Sequence, residues 1–173
     1  MGIRKTPENG IKTKEVKGEN DLVVSYEVNS RGIEIFSKSW LPEATSLKAV
    51  VFFEGIARRL ALSGYGVFAM DYPGFGLSEG LHGYIPSFDL LVQDVMEHYS
   101  KIKENHEFCS LPSFLFGQSM GGAVSLKIHL KQPNAWTGAV LIADDLVPPP
   151  VLKQILIGLA NVLPRHKFLP ANV

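Results

Sequence analysis

The feature that most constrains the fold of this chain is a Gly-x-Ser-x-Gly pentapeptide at 117–121, set between two apolar segments. The aromatic run at 113–116 predicts a buried strand, and the residues after the pentapeptide predict a helix that stops before Pro133. A serine on a sharp strand-to-helix turn projects clear of the sheet, although its backbone is strained. We therefore predict that Ser119 is a catalytic nucleophile.

The residues around this serine have specific expected roles. Strand and helix approach each other closely at such a turn, so we expect that a Cβ atom on Gly117 or on Gly121 would clash there. The backbone N–H of Met120, in the first turn of the helix, is expected to point to where an oxyanion would form. The pattern therefore predicts acyl-transfer chemistry.

The rest of the chain alternates short apolar strands with helices, which indicates β-α-β units in a mainly parallel sheet covered on both faces. Two alternating segments around turn residues at 29–32 predict an antiparallel hairpin before that sheet. A helix is predicted to begin after Ser87, a plausible N-cap. Buried strands are further predicted at 48–53, 66–70 and 138–143, and helices at 54–62 and 151–163.

Composition excludes some classes of function. The chain has 173 residues, enough for one domain with a buried core, and its formal net charge of +0 gives no reason to expect a nucleic acid partner. The single cysteine, Cys109, excludes an internal disulfide, and no secretory signal is visible, so we expect a cytoplasmic protein. The first residues match an N-myristoylation pattern, which leaves weak membrane association through Gly2 as an alternative to a plain tail.

Four segments resemble those of monoacylglycerol-lipase-like hydrolases of the serine aminopeptidase S33 type, including the plant branch with caffeoylshikimate esterase. They are the turn at 117–124, the glycine-rich loop at 71–78, and the hairpin segments at 29–32 and 39–42. The resemblance implies an α/β fold, the N-terminal half of an α/β-hydrolase with a leading antiparallel hairpin and the start of a helical cap. The implied organisation is a disordered tail over 1–21, a partial core over 22–144 and a partial cap over 145–173.

The same resemblance implies a carboxylic ester hydrolase without metal or organic cofactor. Its substrate would be a monoacylglycerol, caffeoyl shikimate or another small acyl ester. The serine would attack the ester carbonyl while a histidine takes its proton and an acid orients that histidine. His82, which follows the glycine-rich loop, is expected near the mouth of the site and in contact with substrate. Asp71 is expected to bond backbone amides of the turn that follows it.

The sequence departs from the family pattern at the catalytic machinery. The strand at 48–53 runs straight into Glu54, which leaves the second oxyanion donor without an obvious source, and such a loss typically costs about 100- to 1000-fold in rate. The chain ends at Val173, before the strands on which the family carries its triad acid and histidine. We therefore expect the triad to be incomplete in this polypeptide.

No other residue is a convincing replacement for the missing acid and base. Asp144, Asp145 and His166 follow Ser119 in the order that the fold requires, but their spacing is wrong for a triad. We expect His98 on the surface of a helix, His106 at its end, and His129 in a structural role on the helix after the serine.

Two alternatives to an active esterase therefore stay open. One is an inactive, truncated relative, from alternative splicing or an incomplete gene model, in which the strand at 138–143 becomes an unpaired apolar edge. The other is a non-catalytic module that binds a hydrophobic ligand. That module would keep the half-sheet and the cap to hold its ligand. With its supporting half gone, the apolar face of the segment 151–163 would instead be an exposed patch, which is a second route to membrane association.

Overall fold

The computed structural model describes residues 16–17, 22–42, 47–52 and 56–142. In this part of the chain, seven strands form one sheet in the order β1-β2-β3-β5-β4-β6-β7. The elements are β1 (Val16–Lys17), β2 (Leu22–Val28), β3 (Glu34–Trp40), β4 (Val50–Phe52), α1 (Ala57–Leu62), β5 (Gly66–Met70), α2 (Phe88–Glu104), β6 (Ser113–Gln118), α3 (Met120–Lys131) and β7 (Gly138–Ile142).

The sheet has an antiparallel half and a parallel half. The predicted hairpin is β2–β3, in register from Leu22 opposite Trp40 to Val28 opposite Glu34, and β3 continues antiparallel onto β5. Strand β4 pairs parallel with both β5 and β6, and β7 pairs parallel with β6. The α/β fold with a leading antiparallel hairpin is therefore confirmed. The parallel strands end at one edge of the sheet, where an α/β fold places its site.

The core lies where α2 and α3 pack against the sheet. Helix α2 begins as predicted, because the Ser87 hydroxyl accepts a hydrogen bond from the Leu90 N–H at 3.3 Å. Three of the most deeply buried side chains, Val92, Leu115 and Ile128, come from α2, β6 and α3 respectively. Each fully buried aliphatic side chain contributes roughly 1.5–3 kcal/mol. This contact therefore holds in place the turn at 117–121, which carries the predicted nucleophile and is called the nucleophile turn below.

Three features differ from the sequence-based expectations. Val16 and Lys17, in the segment expected to be a disordered tail, form β1 and pair with β2. Strand β7 was expected to be buried, but Val140, Leu141 and Ile142 are each more than 40% exposed, because β7 is the outermost strand among the described residues. That position agrees with the expected apolar sheet edge.

A third difference concerns His98. This side chain is buried rather than on the surface, since it lies on the face of α2 turned towards the β2–β3 hairpin, where it contacts Glu27.

Within the described residues, no helix has the length and apolarity needed to span a bilayer. Several predicted features lie outside the described residues: Gly2, Glu54, Asp144, Asp145, His166 and the cap at 145–173.

Candidate active site

The turn between β6 and α3 is strained at the serine. Ser119 has φ +51° and ψ −120°, and it is the one non-glycine residue with positive φ in the described part of the chain. Such a backbone costs on the order of 1–3 kcal/mol. Two hydrogen bonds hold it: the Ser119 N–H donates to Ile142 O at 2.9 Å, and its carbonyl accepts from the Ala123 N–H at 3.2 Å. The predicted strand–turn–helix geometry is therefore present.

Gly117 occupies a position that only glycine fits. A Cβ on this residue would lie 2.2 Å from the carbonyl oxygen of Gly121, much closer than real Cβ contacts allow. The same expectation for Gly121 is wrong, because among the described residues its Cβ would meet only the Tyr72 hydroxyl, at an ordinary 3.7 Å. Gly121 contributes to the close approach through its carbonyl group. After Gly117, the glycine with less space for a Cβ atom is Gly122 rather than Gly121, because a Cβ on Gly122 would lie 3.3 Å from the carbonyl oxygen of Gly117.

The Ser119 side chain is exposed and free to react. Its hydroxyl makes no capping bond to α3 and no other hydrogen bond within the described residues. Met120 is the first residue of α3, so its N–H has no acceptor within the helix. An exposed serine hydroxyl and one amide donor therefore lie next to each other at the N-terminus of a helix, where developing negative charge is favoured.

The acid and base of a triad are not found beside this serine in the described part of the chain. Of the five histidines, four are described, and none of them hydrogen-bonds to Ser119. His82 is exposed and is not among the residues that line the cavity at Ser119, so its contact with substrate stays a prediction. No group of three or more His, Cys, Asp or Glu side chains in the described ranges could hold a metal ion.

A cavity of about 340 Å³ adjoins the nucleophile turn. This volume lies at the lower end of the range for small-molecule sites, roughly 300–1000 Å³. Its walls come from β5, α2, β6 and α3, and they are mostly apolar. The lining residues are Ala69, Met70, Tyr72, Val95, Tyr99, Phe116, Gly117, Gln118, Ser119, Met120, Gly121, Val124 and Ser125. An acyl chain or an aromatic acid would be compatible with this lining.

The glycine-rich loop after β5 is fixed by Asp71. One carboxylate oxygen of Asp71 accepts from the Leu77 N–H at 2.9 Å, which confirms its predicted task in the following turn. The Asp71 carbonyl accepts from the Ser78 hydroxyl at 2.7 Å. A Cβ on Gly76 would lie 2.0 Å from the Asp71 carboxylate, so glycine is required for this bond. Asp71 is thus used structurally.

The next residue, Tyr72, was missed by the sequence reasoning. Its side chain lines the cavity beside Ser119, and burial raises the pKa of its phenol above the usual value. The signal that could have found it was its position, two residues beyond the C-terminal end of a parallel strand.

A second polar cluster, which we call the hairpin seam, lies between the β2–β3 hairpin and α2. Asp94 is its centre, and the Asp94 carboxylate accepts from Asn29 Nδ2 at 2.9 Å and from Arg31 Nε at 2.9 Å and Nη2 at 2.5 Å. Further along α2, His98 Nδ1 lies 2.7 Å from the Glu27 carboxylate. None of these residues lines the cavity at Ser119.

The charge of Glu27 is set by two opposing effects. Burial raises the pKa of Glu27, but the hydrogen bond with His98 and the nearby charges of His98 and Lys101 outweigh burial. The pKa of Glu27 therefore lies below its ordinary value of 4.5, and the side chain is a carboxylate at neutral pH. The seam contains a carboxylate–histidine pair, but this pair joins two structural elements.

Comparison with known proteins places this geometry in a family. Residues 48–172 match the family described as serine aminopeptidase, S33 (Hydrolase_4). The chain is 33% identical over 153 residues to monoglyceride lipase of Mus musculus, which covers 79% of this chain and 50% of the relative. It is 29% identical over 161 residues to caffeoylshikimate esterase of Arabidopsis thaliana, covering 79% of this chain and 48% of the relative.

Solved structures agree on the fold. Acetyl xylan esterase 1 from Thermoanaerobacterium sp. superposes with a TM-score of 0.66 at 17% identity, covering 94% of this chain and 64% of that structure. The α/β-hydrolase GrgF from Penicillium sp. gives a TM-score of 0.65 at 18% identity, covering 82% and 53%. The chain spans about half the length of the curated relatives that it matches. With 48–172 matched and the strand–elbow–helix geometry in place, the chain belongs to the serine aminopeptidase S33 family of α/β-hydrolases.

Proposed function

We propose that this chain carries the nucleophile of a carboxylic ester hydrolase. The observation that supports this most directly is the state of Ser119, which has a strained backbone, an exposed side chain whose hydroxyl bonds to none of the described residues, and the Met120 N–H beside it. Strain of this kind persists only where surrounding structure enforces it, and it is concentrated at functional sites. A serine with a purely structural role would use its hydroxyl to cap α3.

The proposed reaction is acyl transfer to the serine. The Ser119 Oγ attacks the ester carbonyl carbon, its proton passes to a base, and the carbonyl oxygen becomes an oxyanion that accepts from the Met120 N–H. Collapse of this intermediate breaks the bond to the alcohol, which leaves protonated, and water then hydrolyses the acyl-enzyme. The base would come from outside the described residues, because no described histidine bonds to Ser119.

The proposed substrate class is a small ester with an apolar or aromatic acyl group. The two relatives named above are a monoglyceride lipase and a caffeoylshikimate esterase, whose names refer to an ester of glycerol and to a caffeoyl ester of shikimate. The mostly apolar wall of the cavity, with Met70, Val95, Phe116 and Val124, suits the acid portion of either ester. The cavity does not distinguish between the two acids.

One observation favours a second candidate, a module that binds a hydrophobic ligand without hydrolysing it. The serine lacks a histidine partner within the described residues, while the apolar cavity beside it is already formed. Removal of a triad member typically lowers kcat by about 10⁴- to 10⁶-fold, whereas an apolar pocket retains its affinity. The two candidates therefore differ in covalent chemistry and agree in binding.

A fluorophosphonate probe separates them, since the serine oxygen displaces fluoride from phosphorus and forms a stable adduct. We expect labelling of the chain at Ser119, found by peptide mapping, and its loss in Ser119→Ala. Ser125→Ala is the matched control, because Ser125 lines the same cavity on α3 and should leave labelling intact. A folded chain that binds a monoacylglycerol but resists the probe would refute the hydrolase proposal and support the binding module.

A further inference from the structure

The Tyr72 side chain lies at the same end of α3 as the proposed oxyanion donor. Tyr72 lines the cavity together with Ser119, Met120 and Gly121. A Cβ atom placed on Gly121 would be 3.7 Å from the Tyr72 hydroxyl oxygen, and Gly121 directly follows Met120 in the first turn of the helix. The phenol therefore reaches the helix terminus where negative charge would develop.

The Tyr72 hydroxyl has no hydrogen-bond partner within the described residues. The Tyr72 side chain is half-buried, and a partly buried tyrosine combines an apolar ring with a hydroxyl that can bond a ligand or water. Burial raises the pKa of the Tyr72 phenol, so the group keeps its proton at neutral pH and can donate. A proton donor that faces an open cavity and has no acceptor among the described residues is suited to an acceptor on a ligand.

The loop holds Tyr72 rigidly in this position. The Tyr72 carbonyl accepts from the Phe75 N–H at 2.8 Å, and the preceding Asp71 is bonded to Leu77 and Ser78. Gly74, next but one, has φ +79°, and a Cβ there would lie 2.5 Å from Leu81 O. A donor on such a loop is oriented before the ligand arrives, which is the condition for effective stabilisation of developing charge.

We propose that Tyr72 is a substrate-binding residue whose hydroxyl donates to the carbonyl oxygen of the acyl group at Ser119, alongside the Met120 N–H. The ligand class is an ester or a carboxylic acid with an apolar body. This inference rests on the proposed function only in taking Ser119 as the position of the acyl group. It gives the site a second donor from a side chain, in addition to the backbone amide.

The test is a binding measurement in which no ester can be hydrolysed. Calorimetry compares 1-monooctanoylglycerol binding to Ser119→Ala and to Ser119→Ala with Tyr72→Phe. We expect the protein with Tyr72→Phe to bind about 5- to 10-fold more weakly than Ser119→Ala alone, since one neutral hydrogen bond to the ligand is lost. Tyr84→Phe in the same background is the matched control, because Tyr84 lies at the end of the same loop, outside the cavity lining, and its loss of a hydroxyl should leave affinity unchanged.

The outcomes separate this inference from the proposed function. The inference would be overturned if Ser119→Ala and Ser119→Ala with Tyr72→Phe bound 1-monooctanoylglycerol with equal affinity, or if neither protein bound it. A loss of affinity on Tyr72→Phe supports the inference even if the unmutated chain hydrolyses no ester. The lack of hydrolysis would count only against the proposed hydrolase function. The urea midpoint of Tyr72→Phe should equal that of the unmutated chain; a lowered midpoint would show that the hydroxyl bonds within the protein, against the inference.

Discussion

Polar side chains are arranged in opposite ways at the hairpin seam and at the nucleophile turn. At the seam, the Asp94 carboxylate, whose side chain is 2% exposed, accepts from both Asn29 and Arg31. At the turn, the Ser119 hydroxyl and the Met120 N–H are accessible, and the serine hydroxyl has no acceptor or donor among the described residues. The seam uses its polar groups between a hairpin and a helix, whereas the turn leaves them available to a ligand.

The comparison shows that residue type alone does not indicate function. Glu27 and His98 form a carboxylate–histidine contact of 2.7 Å, the pairing that orients a catalytic base, yet they join β2 to α2. Asp71 lies at the carboxyl end of a parallel strand and is used to fix a turn. Ser119 differs from both because its backbone is strained and its side chain is unpaired. A strained backbone combined with an exposed, unpaired side chain is therefore the better indicator of chemistry, since an atom unpaired within the described residues also occurs at the buried Nε2 of His98 in the seam.

The largest expected effect comes from closing the space at the turn. In Gly117→Ala, the new methyl group would meet the Gly121 carbonyl at 2.2 Å, so β6 and α3 must separate. We expect fluorophosphonate labelling to fall to background and the free energy of unfolding to fall by about 3 kcal/mol, the upper end of overpacking costs.

Gly121→Ala is the control for that substitution. It adds the same methyl group where the contact is an ordinary 3.7 Å, so we expect a change in stability of less than about 1 kcal/mol. Urea unfolding and labelling are measured on both variants. Equal destabilisation by the two substitutions would show that the close approach at Gly117 does not govern the turn.

A smaller effect is expected at the seam, where Asp94→Asn leaves the Arg31 guanidinium without its opposite charge. Breaking a buried pair typically costs about 3–5 kcal/mol. We expect the free energy of unfolding to fall by about 2–3 kcal/mol here, because the Arg31 side chain is 31% exposed and can be partly hydrated.

Asp89→Asn is the matched control on the same helix, since Asp89 meets Lys127 on the surface with 61% of its side chain exposed. Its loss of stability should be clearly smaller than that of Asp94→Asn, because solvent screens this exposed pair, and similar losses from both changes would contradict the comparison.

The nucleophile turn could be predicted from sequence because its signals are local. An apolar run, a pentapeptide with glycines at fixed positions and a helical pattern are all adjacent in the chain, and they specify the turn together. The same holds for Ser87, whose capping bond reaches only to Leu90. The alternation of strands and helices then leaves few topologies, because parallel strands require crossovers.

The seam could not be predicted, because its contacts join residues far apart in sequence. His98 contacts Glu27 across 71 positions, and Asp94 contacts Arg31 across 63. On a helical pattern these polar residues resemble a solvated face, which is why His98 was expected on the surface. Whether a polar residue on α2 is buried can be seen only after the β2–β3 hairpin that covers it has been placed in the fold. The free hydroxyl of Tyr72 was missed for the same reason, since a lack of partners is a tertiary property.

The smallest expected effect follows from the pKa of Glu27. Because the folded chain holds this carboxyl proton less tightly than the unfolded chain does, the unfolded chain takes up protons first as the pH falls. The stabilisation from Glu27 is therefore present above the ordinary pKa of 4.5 and is lost as the pH falls from there through the lowered pKa of the folded state.

Glu27→Gln, which keeps the shape and removes the charge, tests this contribution. At neutral pH the unmutated chain should be the more stable of the two, because His98 and Lys101 lie against the carboxylate. The difference in the free energy of unfolding, measured by urea titration, should shrink as the pH falls below 4.5. A difference that stays constant or grows on acidification would show that the carboxylate does not stabilise the seam, and the seam would then resemble the nucleophile turn in having polar groups without a structural task.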